Sequence, residues 1–316
     1  MAAPSIDIVL ASFNGERFIE QQINSIQSSL NYQTLVRRIL VVDDGSSDST
    51  PSIVTKLMQT DSRIELHGNP GPAHGAMANF AFGLSLTRAP YVMLCDQDDV
   101  WHPSKIDKSY KAIVDSDVNR VALPRLVFTD KRIVDESLNE LYPSFFDFRN
   151  ISRQWHSSIE QLMQQNVASG CTMMLNRPLI ELAMPIPNNA FMHDWWLVLV
   201  AKLKGEVIFI DEPLMDYRQH GNNTIGAQNY SWRYLATHMT HHLDKFACYL
   251  WKSADQAAEL NQRFSNSQIE QSAFANLRRY AYFPRLWLFA KGKLRQHSWK
   301  GQAALFVTLL RNNKRI

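Results

Sequence analysis

The first hundred residues of this 316-residue chain alternate between two hydrophobic patterns, and that alternation constrains the fold more than any other feature. Short runs rich in Ile, Val and Leu, at 6–10, 39–42, 63–66 and 91–94, have the length and composition of strands buried on both faces. Between them lie segments with apolar residues at helical spacing. The stretch 16–30 carries Phe18, Ile19, Ile23, Ile26 and Leu30 on one face. Another begins at Pro51 behind a Ser49 or Thr50 cap, and a third covers 77–86. Repeated strand–helix units predict an α/β fold, a mostly parallel sheet with helices on both faces.

Ligands of such sheets bind beyond the carboxyl ends of the strands. Three of the four strands end in polar turns: Ser12-Phe13-Asn14, Asp43-Asp44-Gly45-Ser46 and Asp96-Gln97-Asp98-Asp99. The third places three carboxylates within four residues. They repel one another unless a cation sits among them, and hard oxygens favour Mg2+ or Mn2+. The competing reading is a solvated turn that caps the next helix. The second turn is too acidic, and too poor in glycine, for a phosphate loop. It suits base N–H groups and ribose hydroxyls, or plain turn and cap chemistry.

Two later segments also carry reactive groups. Met192-His193-Asp194-Trp195-Trp196 sets an acid beside an imidazole and two indoles, either as a base against a sugar face or as a helix cap. Tyr217-Arg218-Gln219-His220-Gly221-Asn222-Asn223-Thr224 is a polar loop behind a strand, with His220 a potential ligand and Arg218 a cation.

Beyond the first hundred residues the signals mix. Residues 103–116 read as a helix, 125–134 as strands around a turn and 170–175 as a strand. Residues 193–203 read as a helix and 207–210 as a strand. From about residue 232 the pattern is helical, with a boundary placed near 226–232. The expected domains are 1–230 and 231–316.

The net charge of +3 conceals an asymmetry. Residues 271–316 hold ten Lys and Arg and no Asp or Glu, leaving 23 basic against 30 acidic residues in the rest. The basic segment interleaves cations with Tyr280, Tyr282, Phe283, Trp287 and Phe289, a composition suited to an anionic membrane surface or to a packed helical subdomain. The acidic remainder argues against nucleic acid as a partner. No segment reaches the roughly 18 apolar residues of a membrane span. Three scattered cysteines and an N-terminus without a leader pattern give the expectation of a reducing, cytoplasmic location.

Taken in order, these segments resemble the GT-A-fold glycosyltransferases of family 2, especially the rhamnosyltransferase-like enzymes of bacterial O-antigen and capsule assembly. The matching text is Ile8-Val9-Leu10-Ala11-Ser12-Phe13-Asn14-Gly15, Val42-Asp43-Asp44-Gly45-Ser46-Ser47-Asp48 and Asp96-Gln97-Asp98-Asp99-Val100-Trp101. His193-Asp194-Trp195-Trp196 and the loop from Tyr217 complete it, so that it covers residues 6–226. The resemblance implies a GT-A domain, Rossmann-like, followed by a helical C-terminal region. It implies an inverting, metal-dependent transfer of a sugar from a nucleotide-sugar donor to a glycan acceptor, probed first with dTDP-L-rhamnose and a lipid-linked acceptor. Galactosyl or N-acetylglucosaminyl transfer from a UDP-sugar is the alternative.

Site roles follow by resemblance. Ser12, Phe13, Asn14, Asp44, Asn79, Asp96 and Arg218 would bind the donor. Asp98, Asp99 and His220 would hold Mn2+ or Mg2+, with the register of the acid run open. Asp194 would be the catalytic base, and Trp101, His193 and Trp195 are candidates for the acceptor side. The implied place is the cytoplasm, peripheral on the inner face of the cytoplasmic membrane. A nucleotidyltransferase-type enzyme is the more distant alternative, and the first turn lacks the glycine- and lysine-rich phosphate loop it needs.

Overall fold

The computed structural model describes residues 5–115, 123–220, 239–265, 267–296 and 298–311. Its centre is one sheet. β1 (Ile6–Ser12), β2 (Val36–Asp43), β3 (Ile64–Gly68) and β4 (Tyr91–Asp96) run parallel in the order β3-β2-β1-β4. The sheet continues through β5 (Val100–Trp101), β6 (Arg125–Val134), β7 (Glu140–Tyr142), β8 (Met174–Asn176) and β9 (Glu206–Arg218). Beyond β4 the order is β8-β6-β9-β5, with β7 paired to β6. β6 and β9 are parallel, whereas β8 is antiparallel to both neighbours.

The apolar strands alternate between two cores because successive side chains point to opposite faces. Ile6, Ile8 and Leu10 pack with Ile19, Ile23 and Ile26 of the helix Ile19–Gln27. Val9, on the other face, packs with Phe80 and Leu84 of the helix Ala76–Leu86. β2 and β4 repeat the division, with Ile39, Val41 and Met93 on one side and Leu40, Val42, Val92 and Leu94 on the other. Each such side chain contributes roughly 1.5–3 kcal/mol through burial. Register then fixes the functional edge: Ser12 lies opposite Asp43, and Ala11 opposite Asp96.

Four expected elements differ in detail. The strand expected at 207–210 continues to Arg218, so Tyr217 and Arg218 end β9 rather than open the polar loop. The first helix begins at Ile19 rather than 16, because Gly15 to Phe18 form a turn whose Gly15 N–H is held by Thr50 Oγ1 at 2.8 Å. Residues 125–134 form one continuous strand, not strands around a turn. Its polar run Asp130-Lys131-Arg132 is a bulge where the register against β9 shifts twice, and buried Asp130 accepts from Ser144 Oγ and the N–H groups of Lys131, Phe145 and Phe146. In 170–175 only the end is strand. Gly170–Thr172 is a single 3-10 turn, with the Gly170 N–H turned to Asp194.

The C-terminal region is helical, with helices Met239–Phe264, Tyr282–Ala290 and Trp299–Leu310. The boundary expected near 226–232 lies outside the described residues, as do Asn222, Asn223 and Thr224. Leu250, Trp251, Ala254, Leu260, Phe274 and Leu305 belong to the same apolar cluster as Val9 and Leu94. No helix among the described residues is long and apolar enough to cross a membrane.

Candidate active site

The strand ends open into a cavity of about 920 Å³, near the upper end of what small-ligand sites occupy. Ser12, Phe13, Asn14, Asp44, Asn79, Asp96, Asp98, His193, Asp194 and His220 all line it. Residues spread over two hundred positions thus meet in one space.

On the β1–β2 side the turns brace each other. Buried Asp43 accepts from Ser12 Oγ at 3.0 Å and from the Ser46 N–H at 2.8 Å, which shapes the turn around Gly45. Gly45 has φ +83°, a left-handed conformation that favours glycine. Asn14 Oδ1 accepts from the Ser47 N–H at 2.9 Å. Asp44 accepts from the Gly75 N–H at 2.6 Å, from His74 Nδ1 at 3.0 Å and from Asn69 Nδ2 at 3.2 Å, tying down the connection 69–75 between β3 and the helix Ala76–Leu86. Asn79 donates to the carbonyls of Val42 and Ser12, and its buried Oδ1 has no partner among the described residues. The Phe13 ring is 54% exposed at the cavity, while its N–H and carbonyl are both clamped by Gln97 at 2.9 Å.

The acid run splits in two. Asp98 Oδ2 lies 2.8 Å from His220 Nε2. Asp99 turns inward, where Oδ1 accepts from the Arg218 N–H and buried Oδ2 has no partner among the described residues. Ligand atoms of Asp96, Asp99 and Cys171 lie within 4.8 Å of one another. Burial, then repulsion from Asp98, lifts the Asp96 carboxyl to about 6, and the same two causes push Asp99 well above the carboxylate range. Crowded, desolvated carboxylates with an orphan oxygen fit a hard cation. Within the expected metal set Asp98 pairs with His220, whereas the ligand atoms of Asp99 group with those of Asp96 and Cys171.

Asp194 opens the helix His193–Lys204. Oδ2 accepts from the Gly170 N–H at 3.2 Å and Oδ1 from the Trp195 N–H at 2.6 Å. Burial pushes its carboxyl up to about 6 against those two bonds. A carboxylate with that proton affinity, facing a cavity, is suited to general-base work near neutral pH. His193 stacks on Phe80 at 4.2 Å, and burial keeps it neutral, with its value lowered to about 3.

Four expected site residues do not reach the cavity wall: Asp99, turned inward as above, and Trp101, Trp195 and Arg218. Trp101 is 2% exposed, in the core beneath the helix Ile19–Gln27, under the Lys105 ammonium. Trp195 is also buried and donates Nε1–H to the Leu162 carbonyl at 2.6 Å. The physical reason is helical geometry: about 100° per residue turns Trp195 inward where Asp194 faces out. Arg218 sits behind the acid run, where its guanidinium donates to the carbonyls of Asp98 and Glu136 and to Gln21 Oε1, over the Phe18 ring. It shapes the loop from behind.

Lys131, Arg149, Ser169 and Gln97 also line the cavity and were not expected there. The only signal for Lys131 is a cation inside the apolar stretch Leu126-Val127-Phe128-Thr129-Asp130-Lys131-Arg132-Ile133-Val134, and nothing in spacing points to Ser169 or Arg149.

Comparison with known proteins agrees with this geometry. Residues 7–179 match the model of glycosyl transferase family 2. A dTDP-rhamnosyl transferase of Shigella flexneri is 29% identical over 231 residues, 69% of this chain and 74% of that protein. A GalNAc(5)-diNAcBac-PP-undecaprenol beta-1,3-glucosyltransferase of Campylobacter jejuni is 33% identical over 96 residues, 30% of each chain. Among solved structures, S. aureus TarS 1–349 in complex with UDP-GlcNAc superposes with a TM-score of 0.55 at 14% identity, covering 98% of this chain and 89% of that one. A mannosyltransferase of Pyrobaculum calidifontis in complex with GDP-Man and Mn2+ also gives 0.55, at 17% identity, covering 99% and 88%. These two likenesses concern the fold, which is GT-A. With more than half of its length matched by the family model, the chain belongs to glycosyl transferase family 2 and is a glycosyltransferase.

Proposed function

We propose that the protein transfers a sugar from a nucleotide-sugar donor to a glycan acceptor with inversion at the anomeric carbon. The observation that carries the reading is the convergence, in one cavity, of the strand-end loops bearing Ser12, Asp44 and Asp96 with the buried carboxylate of Asp194. In this reading Phe13, Ser12, Asn14 and Asp44 receive the base and ribose, and Asp96 and Asn79 face the donor. Asp98 and His220 are the residues that would hold Mn2+ or Mg2+, with Asp96 and Asp99 adjacent. Bound there, the cation would supply positive charge to the diphosphate.

Asp194 takes the proton of an acceptor hydroxyl. The oxygen attacks the anomeric carbon as the bond to the diphosphate breaks on the opposite face, and the bonding electrons leave with the nucleoside diphosphate. His193, neutral and packed against Phe80, borders the side from which the acceptor arrives.

dTDP-L-rhamnose is the first donor to test, supported by the likeness to the Shigella flexneri protein. A UDP-sugar donor is the second reading. For the acceptor we favour a lipid-linked glycan presented at the inner face of the cytoplasmic membrane, supported by the exposed aromatic residues of the C-terminal helices. Transfer assays with Mn2+ test the core of the reading. Asp194→Asn should lower kcat by about 10²- to 10⁴-fold while the affinity for the nucleoside diphosphate stays near wild type. Unchanged turnover in that variant would remove Asp194 as the base.

A further inference from the structure

Lys131 is a buried ammonium that the reaction above does not use. The bulge in β6 takes it out of the ladder and aims it into the cavity. The residue is 5% exposed, and its Nζ lies over the faces of Tyr217, at 3.5 Å from the ring centre, and Phe145, at 4.6 Å. Among the described residues its Nζ makes one hydrogen bond, to Ser169 Oγ at 3.0 Å, and no ion pair. Asp96, Asp99 and Asp194 all feel its charge, yet none is in contact with it.

The two ring faces stabilise the charge, but a single hydroxyl bond leaves the ammonium with donor capacity for an oxygen acceptor in the cavity. A residue serving only to neutralise the acids would sit against one of them. Lys131 is instead held off them by two rings and a hydroxyl. Its surroundings also say what fills the space. Asp96, the acid assigned to the donor, and Asp194, the base, line the same cavity, and the charge of Lys131 reaches both. The group that must occupy the interval between donor and base is the sugar in transit.

We propose that Lys131 reads the transferred sugar, donating a hydrogen bond to one of its oxygens from the cavity wall. This rests on the donor reading above. An ammonium can only donate, so it selects sugars that present a hydroxyl or carboxylate oxygen at that point over sugars that present a methyl or a proton there. Ser169 orients the ammonium, and the next residue, Gly170, holds Asp194 through its N–H, so sugar contact and base share one short turn.

The test is calorimetric binding to the full chain with Mn2+, using the pairs dTDP with dTDP-L-rhamnose and UDP with UDP-GlcNAc. Wild type identifies the pair it binds. Lys131→Met, close in length and apolar, should bind that nucleoside diphosphate within about twofold of wild type but the matching nucleotide sugar about tenfold or more weakly. Ser169→Ala should shift the same ratio in the same direction by about threefold, and it decides the matter if Lys131→Met does not fold. Equal weakening of both ligands, or no weakening of either, overturns the proposal. So does intact donor binding with a raised acceptor KM, which assigns Lys131 to the acceptor. A wild type that binds no nucleotide sugar overturns the donor reading and this one together, and that failure is visible in the wild type itself.

Discussion

Burial raises the proton affinity of the Asp194 carboxyl to about 6, while the N–H groups of Gly170 and Trp195 act to lower it. Two consequences follow from the sign of that shift. A base must be ionised, so kcat/KM should fall about tenfold per pH unit below about 6. A pH–rate profile of the wild type measures this, and an acid limb near the ordinary carboxylate value would count against Asp194. The second consequence concerns stability. Because the folded value lies above the ordinary 3.8, the native state binds this proton more tightly than the unfolded chain. Asp194 therefore weakens the fold above about pH 6, and the penalty fades as pH falls toward 4. Asp194→Asn carries no such penalty. Its Tm should move in its favour, relative to wild type, between about pH 5 and pH 8 in parallel thermal melts. A constant difference would mean that the carboxyl is not penalised by burial. The same residue shows how sequence and space diverge. Asp194 and its neighbour Trp195 stand together in the motif, but one turns to the cavity and the other to the Leu162 carbonyl. A motif names residues that matter without saying which of them touch a ligand.

The helix Ala76–Leu86 lies so close to the sheet that Gly83 has no room for a side chain. A Cβ there would stand 2.3 Å from Val9 Cγ1 and 3.0 Å from Val42 Cγ2. Gly83→Ala should destabilise the protein by about 1–3 kcal/mol, read from denaturant unfolding, despite the better helix propensity of alanine. It should also lower donor affinity, since Asn79 on the same helix bridges the ends of β1 and β2. An unfolding midpoint equal to wild type would show that the helix can slide without loss. At this scale β1, β2 and β4 were legible in the sequence because strands buried on both faces carry uninterrupted Ile, Val and Leu. β6 was not. Asp130-Lys131-Arg132 has the composition of a turn, and only the Ser144 hydroxyl and the N–H groups of Phe145 and Phe146, some fifteen residues on, satisfy Asp130 well enough to keep it in a strand. Ser12, Asp44, Asp96, Asp98 and Asp194 were legible as candidates for the same kind of reason: they follow strand ends or open a helix. Lys131 is at the cavity through a bulge, which long-range pairing sets and local spacing does not.

For the molecule as a whole, the open question is what covers the aromatic face of the C-terminal helices. Phe283 is 78% exposed, Trp287 60% and Trp299 78%, on two helices that pack against each other, with Phe306 and Leu310 also exposed. Lys291 lies 5.7 Å from the Trp287 ring and Lys300 5.9 Å from the Trp299 ring. Exposed indoles flanked by cations match the headgroup zone of an anionic bilayer, where ring and charge are both satisfied. Truncating the chain after 270 would be a poor test, because Phe274, Leu277, Leu288, Leu294 and Leu305 from that region fill the shared core. Substituting exposed side chains leaves that core intact. The full chain should pellet with vesicles containing phosphatidylglycerol and not with pure phosphatidylcholine, and raising ionic strength should weaken the binding. The double variant Trp287→Ser, Trp299→Ser should lose about tenfold or more in vesicle affinity while keeping its Tm and its activity on a soluble acceptor. Unchanged pelleting by that variant would exclude these helices as the anchor. If the wild type ignores both vesicle types and light scattering shows a dimer that the double variant loses, the aromatic face is an interface between two copies. In that event the lipid-linked acceptor loses its structural support, while the chemistry assigned to Asp194 stands unaffected.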